Sequence, residues 1–310
     1  MKDFVDIITR RKSSLDKEIF CKIEPKEGVM LFVDGGNAEI AAGPDFSLQF
    51  MRVAGIIFDG RKKTKTESCG FYALFYAERA DEKLFVRTRI IPSKNADGRI
   101  MPDENELVFH FNGQPGSFAD AARRVSEITL AYRMAESLSE GTSIILDGTL
   151  DARHDVEKKA MKKLQDIVAE RKINLCGLSK TSSAVDRFAE PVTYLLKKDG
   201  PEGSWYCKIA EAEFNTYFAK LHCKSRTVFR CDAMPYAVPD VFSHICSISN
   251  DPVFPGYPYG LIEADRKARV SNREKEMLRI EFSARAGKKW QDIEEKETAL
   301  NAHKILDSIG

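Results

Sequence analysis

The chain has 310 residues, of which 43% are hydrophobic, so it can bury one large core or two smaller ones. With 48 Lys and Arg residues against 47 Asp and Glu, the net charge of +1 neither favours nor excludes a nucleic-acid partner. The seven cysteines are scattered, odd in number and without a CxxC pair, which argues against a disulfide framework or a zinc site. The N-terminus is too charged for a signal peptide and no apolar run would span a membrane, so we expect a soluble, cytoplasmic protein.

The first part of the chain is predicted to be mainly β-structure. Residues 1–27 combine a short helical pattern (FVDIITR) with a charged connection, and GVMLFVD (28–34) reads as a buried strand. Three further strand-like runs, separated by turn-like segments at 59–68 and 78–82, lie at 47–58, 69–77 and 83–91. This spacing predicts an antiparallel meander, followed by a loop at 92–116 with one short strand, ELVFHF.

The middle of the chain alternates helices and strands. Helical patterns with an apolar stripe cover 117–138 and 152–171, and the apolar runs TSIILDG (142–148) and INLCGLSK (173–180) follow them. Residues 181–250 are less regular, and a final helical pattern covers Leu261 to about Ala284 before a charged helical tail. Antiparallel strands followed by alternating helices and strands predict an α/β fold, a ribonuclease-H-like mixed sheet with flanking helices, extra strands and a C-terminal helix.

Two aspartates share the same local pattern of an apolar run followed by Asp-Gly, namely Asp34 and Asp147. Each Asp-Gly pair taken alone predicts a turn. If the two strands are neighbours, however, both carboxylates lie at one edge of the sheet and could bind hard cations such as Mg²⁺ or Mn²⁺. Two such ions can stabilise the attacking and leaving oxygens of a phosphodiester.

Three further charged residues have both a functional and a structural interpretation. Glu127 flanks the apolar stripe of its helix, and periodicity alone favours a solvated glutamate paired with Arg123 or Arg124. Lys180 ends a buried strand, where it could face a phosphate or simply reach water. Asp265 is predicted on the apolar face of its helix, as a metal ligand or as the partner of Arg269. No GxSxG, P-loop or GxGxxG motif is present, so serine hydrolase, NTPase and dinucleotide functions have no support.

Five segments in order, LFVDGG, RRVSE, IILDGTL, GLSKTS and GYPYGLIEADRKAR, resemble the NurA family of DNA-repair nucleases over about residues 28–275. The resemblance implies that Asp34, Glu127 and Asp147 are metal ligands and places Asp265 where the family often has a metal-binding histidine. An aspartate there would make the site all-oxygen, which favours hard ions. The first motif also departs from the usual Asp-Gly-Ser, because Gly36 replaces the serine.

The same resemblance implies roles for residues that would contact DNA. Lys180 corresponds to a phosphate-facing lysine and Tyr257 to an active-site tyrosine, and we expect both to contribute to catalysis. Together with Ser182 and Arg266 they are expected to contact the DNA. The matching region is taken as a single nuclease domain at 28–284, between an N-terminal helical segment (1–27) and a charged helical tail (285–310).

The function that the resemblance implies is a two-metal DNA nuclease, with Mn²⁺ favoured over Mg²⁺. Such enzymes degrade single-stranded DNA from the 5′ end, have endonuclease activity, form homodimers and act in DNA end resection with HerA-like hexameric ATPase translocases. Two alternatives stay open: another ribonuclease-H-like nuclease acting on RNA or branched DNA, and a non-catalytic DNA-binding or scaffold subunit of a HerA-type ATPase complex. Convergence of the four acids in space would distinguish an enzyme from the scaffold.

Overall fold

A computed structural model of the chain describes residues 19–93, 98, 101–111, 115–186 and 188–300. The strands are β1 (Cys21–Lys22), β2 (Val29–Ala42), β3 (Phe46–Asp59), β4 (Lys62–Ala80), β5 (Lys83–Pro92), β6 (Val108–His110), β7 (Ser143–Asp147), β8 (Asn174–Ser179), β9 (Trp205–Ala210), β10 (Asn215–Lys220) and β11 (Phe229–Ala233). The α-helices are α1 (Ala119–Ala135), α2 (Asp155–Glu170), α3 (Val192–Asp199), α4 (Asp240–Ser247), α5 (Tyr259–Ala268), α6 (Asn272–Ala286) and α7 (Trp290–Leu300). The FVDIITR helix predicted near the N-terminus and the last ten residues of the tail lie outside the described residues.

The strands of the described residues form one mixed sheet in the order β1-β9-β10-β11-β8-β7-β2-β3-β4-β5-β6. β2 to β5 form the predicted antiparallel meander, and β2, β7 and β8 pair in parallel. The short strand predicted within ELVFHF is β6. The prediction of a ribonuclease-H-like mixed sheet with flanking helices is therefore confirmed.

Side-chain alternation along β2 gives the sheet two buried faces. Leu31 and Val33 belong to a core that includes Val125 of α1 and Leu164 of α2. Met30 and Phe32, which alternate with them, pack into a second core on the opposite face, which includes Phe242 of α4 and Leu261 of α5. The sheet thus lies between α1–α2 and α4–α5, since successive strand residues point to opposite faces.

The C-terminal helices cover the outer half of the meander. Trp290 of α7 packs with Ile40 and Leu48 of the long strands, and Phe282 of α6 lies against the same small core. Among the helices of residues 19–93, 98, 101–111, 115–186 and 188–300, none is long and apolar enough to cross a membrane.

Three sequence predictions of local structure are wrong. The segment 59–68 is not a long turn, because only Gly60 and Arg61 turn the chain and β4 already begins at Lys62. The charged residues that follow Lys62 pair with β3 as an exposed extension of the two strands. β2 runs to Ala42, eight residues beyond the predicted strand end. The closing helix is two helices, α5 and α6, because the Ser271 hydroxyl accepts a hydrogen bond from the Glu274 N–H and starts a new helix.

Most of the seven cysteines are buried free thiols. None is disulfide-bonded, and five are buried, while Cys21 and Cys223 are exposed.

Candidate active site

Asp34 and Asp147 occupy matched positions on neighbouring parallel strands. Val33 of β2 pairs with Leu146 of β7, so the next register position brings Asp34 beside Asp147. Parallel neighbours are about 4.8 Å apart. The prediction that Asp34 ends its strand is wrong, because β2 continues past it in pairing with β3 while β7 stops at Asp147.

The alternation of the strands places both aspartates on the face that packs against α4 and α5. Phe32 of β2 and Ile145 of β7, two positions before the aspartates, both belong to the core on that face. Residues two apart in a strand share a face. The two carboxylates therefore lie side by side on the same face.

Asp34 has a strongly perturbed acidity. Its side chain is 4% exposed, and its Oδ1 accepts a hydrogen bond of 2.7 Å from the Gly35 N–H. Burial, followed by the negative charges of Asp147 and Glu127, raises the pKa of Asp34 from its ordinary value of 3.8 to about 8. Three carboxylates are thus close enough to repel one another, and this cluster favours an added positive charge.

Glu127 of α1 reaches the sheet beside Gly35. A Cβ added at Gly35 would lie 2.6 Å from Glu127 Oε1, so the missing side chain is what admits the glutamate. Glu127 is 1% exposed, which makes the expectation of a solvated glutamate wrong. The expected pairing is present: Arg123 donates to Oε1 at 2.8 Å and Arg124 to Oε2 at 3.0 Å.

The two arginines also anchor α1 to both strands of the aspartate pair. Arg123 donates to the Gly35 carbonyl at 3.2 Å. Arg124 donates to the Asp147 carbonyl at 2.9 Å and to the Thr149 carbonyl. The sequence predicted them only as possible partners of Glu127. The RRxxE spacing indicates the ion pairs within the helix, whereas it gives no signal for hydrogen bonds to carbonyl groups that are distant in sequence.

Lys180 and Tyr257 both contact Asp147. Lys180 Nζ lies 3.0 Å from Asp147 Oδ2, and the Tyr257 hydroxyl donates to Asp147 Oδ1 at 3.4 Å. Lys180 Nζ is also 5.5 Å from the centre of the Tyr257 ring. Burial first, and then the charges of Asp147 and Asp34, raise the pKa of Tyr257, so its hydroxyl stays protonated and can donate. Although burial lowers the pKa of Lys180, Asp147 raises it overall, and the ammonium stays charged.

Asp265 does not lie on the buried face of its helix, contrary to the prediction. That face consists of Leu261, Ala264 and Ala268, while Asp265 is 37% exposed and forms a 2.7 Å ion pair with Arg269. The expected ion pair with Arg269 is therefore present, and the role of Asp265 as a metal ligand stays a prediction. The Asp265 charge still contributes to the raised pKa values of Tyr257 and Lys180, which places it at the margin of the cluster.

Gly36 allows the end of α5 to approach this margin. A Cβ at Gly36 would lie 2.6 Å from the Ala268 carbonyl oxygen, which belongs to the backbone and cannot rotate away. Gly36 therefore allows the close approach of α5, in the same way that Gly35 allows the close approach of Glu127.

Comparison with known proteins supports the architecture. No protein-family model matches the chain, and no curated protein matches it significantly. The NurA nuclease from Sulfolobus solfataricus matches with a TM-score of 0.55 at 14% identity, over 87% of this chain and 88% of that one. The chain has the NurA nuclease fold. The predicted resemblance to NurA nucleases is therefore confirmed for the fold.

Two Endonuclease V structures are more distant and carry no further argument. The catalytic domain of the human protein gives a TM-score of 0.43 at 8% identity, over 86% of this chain and 92% of that one. The Ciona intestinalis protein, in complex with DNA containing an inosine, gives 0.41 at 12% identity, over 84% and 92%.

Ser182 and Arg266 have local partners within this NurA fold. The Ser182 hydroxyl accepts from the Ala184 N–H at 3.2 Å in the turn after β8. Arg266 is exposed and donates to Glu263 at 2.6 Å. Among the contacts of the described residues, neither side chain reaches Asp34 or Asp147, and their assignment to DNA contact stays a prediction.

The donor chemistry of the cluster fits a hard cation. Asp34, Asp147, Glu127 and Asp265 offer only carboxylate oxygens, the ligands that Mg²⁺ and Mn²⁺ take. Within the part of the chain that the structure describes, no group of three or more His, Cys, Asp or Glu is arranged to hold a metal as it stands. Glu127 is bound by two arginines and Asp147 by Lys180. Asp34 and Asp147 are the residues that would hold such a cation, and its positive charge would favour the ionised form of Asp34, whose pKa is raised by burial and then by its negative neighbours.

An open cavity of about 520 Å³ adjoins this cluster on the side of α1 and α2. Its lining includes Glu127, Asp147, Lys180 and Arg153. Both signs of charge therefore line the cavity.

Proposed function

We propose that the protein is a divalent-metal-dependent nuclease that cleaves DNA phosphodiesters. The observation that supports it most is the pairing of Asp34 and Asp147 at matched register on one face, with Glu127 reaching them past Gly35. Burial, and then the charges of Asp147 and Glu127, raise the pKa of Asp34, and binding a cation would offset the cost of ionising it. The likeness of the fold to that of a NurA nuclease is a second observation in support of the proposal.

Each residue of the cluster has a role in this proposal. Asp34 and Asp147, with Glu127 and Asp265 beside them, would hold Mn²⁺ or Mg²⁺ in a site for up to two ions. Such ions supply Lewis-acid stabilisation of a phosphodiester and lower the pKa of the attacking water.

The remaining side chains of the cluster hold the acids and the DNA. Lys180 stays protonated beside Asp147 and would neutralise charge developing on the phosphate. Tyr257 orients Asp147 through its hydroxyl and would hold the adjacent nucleotide. Arg123 and Arg124 fix the carboxylate of Glu127.

Finer properties belong to the same proposal and rest on the resemblance to the NurA family, to which we assign the chain. We propose 5′-to-3′ exonuclease activity on single strands with endonuclease activity, a preference for Mn²⁺, a homodimer, and action in DNA end resection with a HerA-like hexameric ATPase. Ser182 and Arg266 would contact the DNA.

The test uses the purified full chain with 5′- and 3′-labelled single- and double-stranded DNA and with RNA, in Mn²⁺, Mg²⁺ or EDTA. We expect DNA cleavage that needs the metal and is abolished in Asp34→Ala and Asp147→Ala. Asp59→Ala, at the exposed end of β3, is the matched control and should cleave normally. Undiminished cleavage by both site variants would contradict the proposal.

A second candidate function is a non-catalytic DNA-binding or scaffold subunit of a HerA-type complex. It is favoured by the salt bridges of Glu127 and Asp147, which occupy the carboxylates that a metal would need. This candidate predicts DNA binding without cleavage in either metal, and binding that survives Asp34→Ala. Cleavage of RNA in preference to DNA would instead support the ribonuclease alternative.

A further inference from the structure

The loop between α4 and α5 presents two apolar side chains to water. We call residues 250–256 the rim loop. Val253 is 75% exposed and Phe254 is 58% exposed. The Asp251 Oδ1 accepts hydrogen bonds from the Val253 N–H at 2.8 Å and the Phe254 N–H at 3.1 Å, so the loop has a defined conformation. Single exposed apolar residues need no explanation, but an ordered loop that holds two outward is a candidate contact surface.

The rim loop is joined directly to the carboxylate cluster. The Tyr257 N–H donates to the Phe254 carbonyl at 3.1 Å, which closes a turn between these two residues. The Tyr257 hydroxyl in turn contacts Asp147. Phe254 is therefore one turn of chain from the tyrosine at the site.

A second loop places basic residues at the same edge of the sheet. Arg230 of β11 pairs with Ser179 of β8, so the β10–β11 loop (221–228) extends past the end of β8, where Lys180 lies. Lys224 and Arg226 are exposed on this loop.

The rim loop packs against this basic loop. A Cβ added at Gly256 would lie 2.5 Å from Ser225 Oγ, so the two loops are in contact. The ring of Phe229, the first residue of β11, lies 5.6 Å from the ring of Tyr257. An exposed aromatic, two exposed cations and the carboxylate cluster therefore occupy one rim of the molecule.

We propose that Phe254 stacks on a base of single-stranded nucleic acid, while Lys224 and Arg226 contact phosphates of the same strand. The inference rests on the proposed function, because it takes the strand to be the substrate of the carboxylate cluster. Aromatic side chains beside basic residues are the combination that binds single strands without sequence preference. The stacked base holds the strand as it enters the site, so Phe254 determines affinity for unpaired rather than paired DNA.

The test measures binding apart from cleavage. Full-length Asp34→Asn serves as the parent, and the probe is fluorescein-labelled oligo-dT of 20 nucleotides, followed by anisotropy. Phe254→Ala should weaken binding about 5- to 150-fold, which corresponds to about 1–3 kcal/mol for one stacked base. Phe254→Trp should restore affinity, and its fluorescence should be quenched by the oligonucleotide. Val253→Ala removes apolar area from the same loop without a ring and should change affinity less than about twofold.

Salt dependence separates the aromatic from the basic contribution. The Lys224→Ala, Arg226→Ala double variant should lower the slope of log affinity against log salt by about 1.4, at about 0.7 per phosphate contact on a single strand. Phe254→Ala should leave that slope unchanged, because stacking releases no counterions.

The outcomes distinguish this inference from the proposed function. If the parent binds the oligonucleotide and Phe254→Ala binds as tightly, the inference is overturned while the nuclease proposal stands. If Phe254→Ala and Phe254→Trp are equally weak, with thermal unfolding unchanged, stacking is overturned. A chain that neither binds nor cleaves DNA would overturn both proposals.

Discussion

Asp34→Asn is expected to stabilise the protein at neutral pH, because it removes a carboxylate whose ionisation opposes folding. Burial, and then Asp147 and Glu127, raise the pKa of Asp34 to about 8. A carboxyl group with a raised folded-state pKa keeps a proton that the unfolded chain releases. Its contribution to stability is therefore greatest below the unfolded pKa of 3.8 and falls as the pH rises, until the folded group also ionises near pH 8.

The size of this effect follows from the two pKa values. At 1.36 kcal/mol per unit, the roughly three units between the unfolded pKa and pH 7 amount to about 4 kcal/mol as an upper bound. Asparagine has the shape of the protonated acid, and its Oδ1 can accept the bond that the Gly35 N–H donates to Asp34. With an unfolding entropy of about 2.1 cal/mol/K per residue, the gain for this chain is about 6 °C in Tm.

Urea unfolding of parent and variant at pH 5 and pH 7 measures the effect. The stability advantage of Asp34→Asn should grow by about 3 kcal/mol between these pH values, since the linkage acts throughout that interval. Asp59→Asn, an exposed acid of β3, is the matched control and should show no such growth. An advantage of Asp34→Asn that is absent, or that does not change with pH, would refute the placement of Asp34 among buried like charges.

The same variants test the effect of a metal on folding. Mn²⁺ at about 100 times its dissociation constant should stabilise the parent by about 2.7 kcal/mol. Asp34→Asn should gain less, because it lacks one anionic ligand. Equal stabilisation of both proteins would argue against Asp34 as a ligand.

Two further predictions concern residues that position the cluster. Gly36→Ala places a methyl group 2.6 Å from the Ala268 carbonyl oxygen and should lower the free energy of unfolding by about 1–3 kcal/mol. Gly98→Ala should be near neutral in the same urea titration, because among the described residues its Cβ would meet only the Met101 side chain, at 3.9 Å. Arg124→Ala removes one of two donors to the buried Glu127 and should cost about 1–3 kcal/mol by urea unfolding. Wild-type stability in Gly36→Ala or Arg124→Ala would contradict these contacts.

Local pattern determined much of the fold. Buried faces could be predicted from the apolar runs of β2, β7 and β8 and from the apolar stripes of α1 and α2. The apolar residues recur at the spacing with which the backbone of a strand or helix returns to the same face. The Asp-Gly pairs also indicated Asp34 and Asp147 as site residues, because a carboxylate directly after a buried apolar run is unusual and can be read from the local sequence. Element ends were less predictable, as β2 and β4 show, because pairing with a long partner strand extends a strand through residues whose own pattern suggests a turn.

Tertiary structure alone decided how the charged residues are arranged. Periodicity put Glu127 at the edge of its helix, yet Gly35, distant in sequence, lets it enter the protein. Asp265 lies beside rather than on the buried face, because α5 packs through Leu261, Ala264 and Ala268, and it forms an ion pair with Arg269 instead. Sequence determines which residues prefer burial through local periodicity. The register of β2 against β7 and the contact of α1 with both strands set the distances between charges, and those distances determine pKa and the capacity to bind a cation.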